Sequence, residues 1–298
     1  MRLERVVVGM DFSLPAEAAA RWAARHFAPG AEIVLVHVIA VPQPPRFFSG
    51  KFPPRETVIE TARSGADKRM RELSDSLGAE RIWIEIREGD PAEQLRAVAA
   101  EYSADVVVVG PHGPRPGIWD RPGGTAEKLV RESHIPVVLA ANPGDAPPRR
   151  ILVPVDDSRV TATVLEWARL FATRPDTQTT VLHVVSSTML NDLLSAGAVV
   201  SGVMVPIPDE VLTNVELDAG RWVQEVVAEA GLDLAGVSTE VKAGDPAHEI
   251  LAAAQRHASA LIVMGSSTGG LRAALLGSVA REVLRTSKRP VLVVREEG

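Results

Sequence analysis

The chain is written nearly twice. Arg5-Val-Val-Val-Gly-Met-Asp-Phe-Ser13 returns as Arg150-Ile-Leu-Val-Pro-Val-Asp-Asp-Ser158, and Glu88-Gly-Asp-Pro-Ala-Glu-Gln-Leu95 returns as Ala243-Gly-Asp-Pro-Ala-His-Glu-Ile250. Val106-Val-Val-Val-Gly110 is echoed by Leu261-Ile-Val-Met-Gly265, and Ile135-Pro-Val-Val-Leu139 by Arg289-Pro-Val-Leu-Val293. The offsets are 145, 155, 155 and 154, so the order is kept with small insertions. A period of about 150 residues is too long for a solenoid repeat and matches a whole domain. Two homologous domains are expected, over residues 1–141 and 150–298, with the Pro- and Gly-bearing stretch 142–149 as linker.

Within each half, short apolar runs alternate with longer helical patterns. Val6–Gly9 reads as a strand buried on both faces, followed by a helix over Leu14–Phe27 with Pro15 in its first turn. A strand over Ala31–Ile39, a Pro-rich loop over Pro42–Pro54, a helix over Arg55–Leu77 and a strand over Arg81–Arg87 come next. Asp90-Pro91 is a helix start, the acid as N-cap and the proline at the first helical position. That helix runs to about Tyr102; the strand Asp105–Val109, a helix near Thr125–Ser133 and the strand Pro136–Ala140 complete the half. The second half repeats the scheme, with strands near 151–155, 179–185, 237–242, 260–264 and 290–294, and residues 186–214 read as a long connection. Strands alternating with crossover helices predict two tandem doubly wound α/β domains. Each is a five-stranded, mostly parallel sheet in the order 3-2-1-4-5 with helices on both faces. Such folds bind ligands beyond the carboxyl ends of the strands, where the strand order reverses. The loops after the first and fourth strands of each half are therefore the places to look.

Charge and composition exclude several classes of function. With 32 basic against 38 acidic residues and no Lys/Arg run, a nucleic-acid partner is not expected. No apolar stretch reaches the roughly 18 residues of a membrane span, and no signal peptide is evident. Cysteine is absent, which removes disulfides, thiol catalysis and zinc-thiolate sites and points to a cytoplasmic address. The histidines show no metal-ligand spacing.

After the fourth strand the first half reads Gly110-Pro-His112-Gly113, nine residues, then Gly123-Gly124-Thr125. The second half reads Gly265-Ser-Ser267-Thr268-Gly-Gly270, six residues, then Gly277-Ser278-Val279. Glycines let backbone N–H groups come close to a ligand, and a helix opening there offers free N–H groups to an anion. After the first strand each half places an acid, Asp11 following Met10 and Asp156 following Val155. Such an acid either accepts hydrogen bonds from a ribose or base amino group or merely caps the next helix or closes a turn.

Taken together, these landmarks resemble the universal stress protein family over essentially the whole chain. The pattern of that family is Gly-x-x-Gly, nine residues, then Gly-Ser or Gly-Thr. With it come a strand-end Asp, a second strand ending near His-Val, a Gly-x-Pro helix start and a final Pro-Val-Leu-Val strand. In ATP-binding members the strand-one Asp and the end of strand two flank the adenine, and the glycine loop wraps ribose and phosphates. The resemblance implies Met10, Asp11, Val38, Gly110, His112, Gly113, Gly123, Gly124 and Thr125 as ligand-facing in the first half. In the second half it implies Val155, Asp156, Val184, Gly265, Ser267 or Thr268, Gly277, Ser278 and Val279. The implied ligand is ATP, ADP or AMP, with Mg at the phosphates left open. Both loops depart from the pattern. The first has Gly124 where a hydroxyl residue is expected, along with Pro114, Pro116, Pro122 and Asp120; the second spans 12 positions from Gly265 to Gly277, against 13 from Gly110 to Gly123.

No residue set activates a nucleophile, and no Walker Gly-Lys-Ser/Thr or first-strand Gly-x-Gly-x-x-Gly is present. The expected function is nucleotide-dependent regulation in a stress response without efficient catalysis. A pairing scaffold with decayed sites and a slow ATPase are the alternatives. His37 and His183 read as satisfied, partly buried histidines, Trp22 and Trp167 as packing residues, and Phe47, Phe48 and Phe52 as a lid or gap filler. The apolar last strands, 136–140 and 290–294, are expected to pair antiparallel within the chain, as the family's last strands do between subunits, with a further homodimer left open.

Overall fold

The computed structural model describes residues 2–40, 54–111, 124–186, 209–232, 235–266 and 276–295, with side chains of the fourth segment described from Asn214. The chain divides into two compact units, Met1–Pro147 and Pro148–Gly298.

In the first unit, β1 (Arg5–Met10) leads through Ser13 into α1 (Leu14–Trp22), which continues as one wide π-type turn over Ala23–Phe27. The Ser13 hydroxyl accepts the N–H of Ala16, so serine caps this helix and Pro15 sits in its first turn. β2 (Glu32–Ile39), α2 (Arg55–Leu77), β3 (Ile82–Glu88), α3 (Pro91–Glu101), β4 (Val106–Val109), α4 (Gly124–Glu132) and β5 (Val137–Leu139) follow. The strands run parallel in the order β3-β2-β1-β4-β5.

The second unit repeats this with β6 (Arg150–Val155), α5 (Val160–Ala172), β7 (Gln178–Ser186) and α6 (Asp209–Glu229). It ends with β8 (Val237–Gly244), α7 (Pro246–Arg256), β9 (Leu261–Gly265), α8 (Ser278–Thr286) and β10 (Val291–Val294), in the parallel order β8-β7-β6-β9-β10. Helix α6 begins inside the stretch 186–214 that reads as connection, because Pro206 and Pro208 masked a start whose Asp209-Glu210 suit the positive end of a helix.

Burial explains why these segments are strands. Val6, Val7 and Val8 are all 0 % exposed, and successive strand residues point to opposite faces, so both faces of the sheet are covered. The same holds for Val106–Val108 and for Leu261–Val263. Trp22 and Trp167 are buried at matching helix positions, as their packing role requires. Asp90 and Asp245 are true N-caps, accepting from the N–H groups of Glu93 at 3.0 Å and His248 at 2.8 Å. Between β1 and β4, and between β6 and β9, the strand order reverses, which places the two candidate loops of each unit side by side.

Candidate functional site

In the second unit the carboxyl ends of β6, β7 and β9, with residues of α5, α6, α7 and α8, enclose a cavity of about 640 Å³. Its volume falls within the ~300–1,000 Å³ of small-molecule sites. Two glycines shape the wall. A Cβ on Gly265 would overlap Val160 Cγ1, so any other residue here requires the Val160 side chain of α5 to shift. Gly277 caps α8 with φ −57° and ψ 151° and no side-chain cap, so the first-turn N–H groups at Ser278 and Val279 depend on acceptors outside the helix. Both residues line the cavity.

Asp156 is held in a tight turn. Its Oδ1 accepts the N–H of Ser158 at 3.1 Å and also the Ser158 hydroxyl, while Thr161 Oγ1 donates to the Asp156 carbonyl at 2.6 Å. The carboxylate therefore closes a turn and faces the cavity at once. His183 Nδ1 donates to the Val155 carbonyl at 2.9 Å, which fixes the imidazole at the cavity wall. The Trp222 ring meets it edge-on, with centroids 5.0 Å apart and planes at 68°. Val184, Val160 and Val164 add apolar wall, and Asp156, Asp157 and Asp218 supply the acidic groups. No Lys or Arg is among the described lining residues.

Sequence reasoning for this half named Val155, Asp156, Val184, Gly265, Gly277, Ser278 and Val279, and all seven line the one cavity. Ser267 and Thr268 lie outside the described residues. Trp222, Asp218 and Asp157 were missed. The available signal was a difference between the halves: Trp222 has Arg69 as its partner in step, and Asp157 has Phe12.

The first unit closes its turn in the same way, with a different backbone and side chain at the middle residue. Asp11 Oδ1 accepts the N–H of Ser13 at 2.9 Å, so Asp11 closes the turn and Ser13 caps the helix. Met10 is buried and its carbonyl accepts His37 Nδ1 at 2.8 Å. Burial holds His37 below its ordinary pKa, against the Met10 bond and the nearby Asp11 charge. Phe12 takes φ +62°, an outlying conformation for a bulky residue, and packs on His37 with centroids 4.5 Å apart and ring planes tilted by 38°. A Cβ on Gly110 would press on the backbone N and Cα of Ala16 at 3.0 and 3.1 Å, so this glycine serves helix–strand packing. Val38 is half-buried at the end of β2, and Gly124 opens α4 with Thr125 next to it. His112, Gly113, Gly123 and the loop residues Pro114, Pro116, Asp120 and Pro122 lie outside the described residues, as do Phe47, Phe48 and Phe52.

Among the described residues no group of three or more His, Asp or Glu side chains could hold a metal ion. No described helix is long and apolar enough to cross a membrane.

Comparison with known proteins agrees with this architecture. The Universal stress protein family matches over residues 2–140 and again over 148–295. A universal stress protein of Mycolicibacterium smegmatis is 31 % identical over 319 residues, spanning 97 % of this chain and 96 % of that protein. One of Mycobacterium tuberculosis is 28 % identical over 321 residues, spanning 98 % of this chain and 97 % of its own. The crystal structure of a universal stress protein from Archaeoglobus fulgidus superposes with a TM-score of 0.68 at 17 % identity, covering 99 % of this chain and 97 % of that one, and so shares the fold.

Proposed function

The chain belongs to the universal stress protein family, carrying two copies of its domain, and from that premise we propose that the second unit binds an adenine nucleotide or nucleoside as a regulatory ligand, without efficient catalysis. The observation that carries this is the convergence of Asp156, Val184, Gly277, Ser278 and Val279 on one cavity of about 640 Å³. The roles follow from chemistry. Val184 and Trp222 supply an apolar and aromatic wall for a base, and aromatic stacking is worth about 1–3 kcal/mol per base. The Asp156 carboxylate accepts from a ribose hydroxyl or a base amino group. Ser278 and Val279, at the uncapped start of α8, offer N–H groups to a phosphate oxygen.

Efficient hydrolysis would need a positioned base and a charge clamp at the transferred phosphoryl group. The imidazole of His183 is engaged with a backbone carbonyl, and the described wall carries no cation. A regulatory role suits the described wall better than turnover, and among the described lining residues no Lys or Arg supports the slow-ATPase alternative.

The test is calorimetric titration of the full chain with adenosine, AMP, ADP and ATP, with and without Mg, beside the Gly277→Val variant. Gly277 has an ordinary backbone conformation, so the added side chain crowds the approach to Ser278 without straining the turn. Affinity for the phosphorylated ligands should fall at least tenfold. Unchanged affinity would remove the α8 start from the site, and no binding by any of the four would sink the reading.

A further inference from the structure

Because the halves are homologous, most residues have a counterpart, and at one place the exchange alters what a site can hold. In both units a strand-two histidine donates from Nδ1 to the last residue of the first strand, His37 to Met10 and His183 to Val155. In the second unit, among the described residues, that imidazole meets Trp222 and lines the cavity. In the first unit Phe12 follows Asp11 as Asp157 follows Asp156, and Arg69 precedes buried Met70 as Trp222 precedes buried Val223. The Phe12 ring lies on His37, and the Arg69 guanidinium stands 4.2 Å from the centre of that ring. Arg69 also donates to the Phe12 carbonyl at 3.3 Å and reaches the Glu17 carboxylate at 3.9 Å.

We propose that Phe12 and Arg69 fill, in the first unit, the place beside the strand-two histidine that the second unit leaves open to a ligand ring, so that the chain takes one such ligand and takes it in the second unit. Three contacts converge on a residue in an unfavourable backbone conformation. A bulky side chain at φ +62° persists only where its surroundings over-determine it, and here an imidazole, a guanidinium and a backbone hydrogen bond do so. A flat ring entering the first unit would have to displace Phe12 from His37 and break the Arg69 bond together. The second unit has an exposed Asp157 in place of the phenyl ring, so among the described residues no ring at that turn position must be displaced.

The adenine ligand itself rests on the function proposed above; the filled state of the first unit does not. Two arms keep them apart. Calorimetry of the full chain with adenosine should give one equivalent, weakened at least fivefold by Trp222→Ala. The double variant Phe12→Asp/Arg69→Trp, which installs the second unit's own residues, should gain a second equivalent. Two equivalents in the unaltered chain would overturn the proposal. The ligand-independent arm follows the His37 ring protons by NMR with indole, a purine-sized ring, as probe. Phe12→Ala and, separately, Arg69→Ala should shift those protons and let indole perturb them at concentrations at least tenfold lower than in the unaltered chain. Unmoved His37 protons in Phe12→Ala, or indole reaching His37 equally well in the unaltered chain, would overturn it even if adenosine bound nowhere.

Discussion

After β1 the chain turns through Asp11-Phe12-Ser13, and after β6 through Asp156-Asp157-Ser158. Both turns are closed the same way, by the acid's Oδ1 accepting the N–H two residues on. Both lie beside a histidine bonded to the preceding strand. Yet one turn carries a phenyl ring that covers its histidine and the other a carboxylate at the wall of a cavity. The lesson is that a shared turn closure does not fix site content. In both units the acid's Oδ1 accepts the serine N–H two residues on, but the middle residue differs in backbone as well as side chain, Phe12 taking φ +62° and Asp157 no positive φ. What occupies the space above it depends on one side chain and its partner from the helix after strand two. Duplicated folds can therefore keep a scaffold twice and a site once.

The largest effect expected tests the shared scaffold. Gly265→Val and Gly110→Val each force a side chain into a helix–strand contact with no room for one, and each should cost about 3 kcal/mol in its own unit. Urea unfolding followed by hydrogen exchange in β9 and β4 would read both. A tolerated Gly265→Val would mean that the Val160 side chain can move aside for the added Cβ.

Trp222→Ala comes next and tests the difference between the units. Losing the aromatic wall should weaken adenosine by about 2 kcal/mol, while Arg69→Ala should leave that affinity in place. Equal losses in a titration would erase the asymmetry.

The helix caps return to what is common. Asp90→Ala and Asp245→Ala should each cost about 1 kcal/mol, since each removes the acceptor for a first-turn N–H. In the first unit the Glu93 N–H, and after it Lys128, hold the Asp90 carboxyl below its ordinary value. Its stabilisation is present above the ordinary carboxylate range and is lost as pH falls through the depressed folded value. Acid unfolding of the Asp90→Ala variant should accordingly be shallower than that of the parent.

The smallest effect separates the units again, at the link between strand three and the following helix. Tyr102 donates to Glu85 at 2.6 Å where His257 meets Glu240 at 2.7 Å. Its bond to Glu85, aided by burial, pushes the Tyr102 hydroxyl up to about 12, so its contribution is whole below the ordinary tyrosine value and is lost as pH rises through about 12. Tyr102 is the only tyrosine of the chain, so phenolate absorbance titrates it alone; an ordinary midpoint would break the assignment. Glu240 behaves oppositely. Burial raises it, but His257 and Arg256 outweigh burial and hold it below its ordinary value, so its contribution is lost as pH falls. Acid should loosen β8 less in a Glu240→Gln variant than in the parent, by hydrogen exchange.

Much of the fold was legible in the sequence because its signals are local. The apolar runs at Val6–Val8 and Val106–Val109, the caps at Asp90 and Asp245, and Pro15 in the first turn of α1 each act within a few residues. The start of α6 was not legible, because prolines at 206 and 208 resemble a loop and acids at 209 and 210 are as common in loops as in first turns. Glycine spacing located Gly265, Gly277 and Ser278 at the cavity, since a backbone that must approach closely leaves a composition trace. Trp222 left no such trace within its own helix, where a half-buried tryptophan is ordinary core-facing sequence; only its mismatch with Arg69 of the other half marks it.

By itself the sequence determined the duplication, the parallel doubly wound order of each unit and the family, because repeated periodicity and turn chemistry are written in neighbouring residues. Only the tertiary structure decided which strand-two histidine is covered. Phe12 meets His37 and Arg69, and His183 meets Trp222, across separations of 25, 57 and 39 residues. Those meetings depend on a left-handed φ at Phe12 and on which face a distant helix turns to the sheet, neither of which any short stretch of sequence encodes.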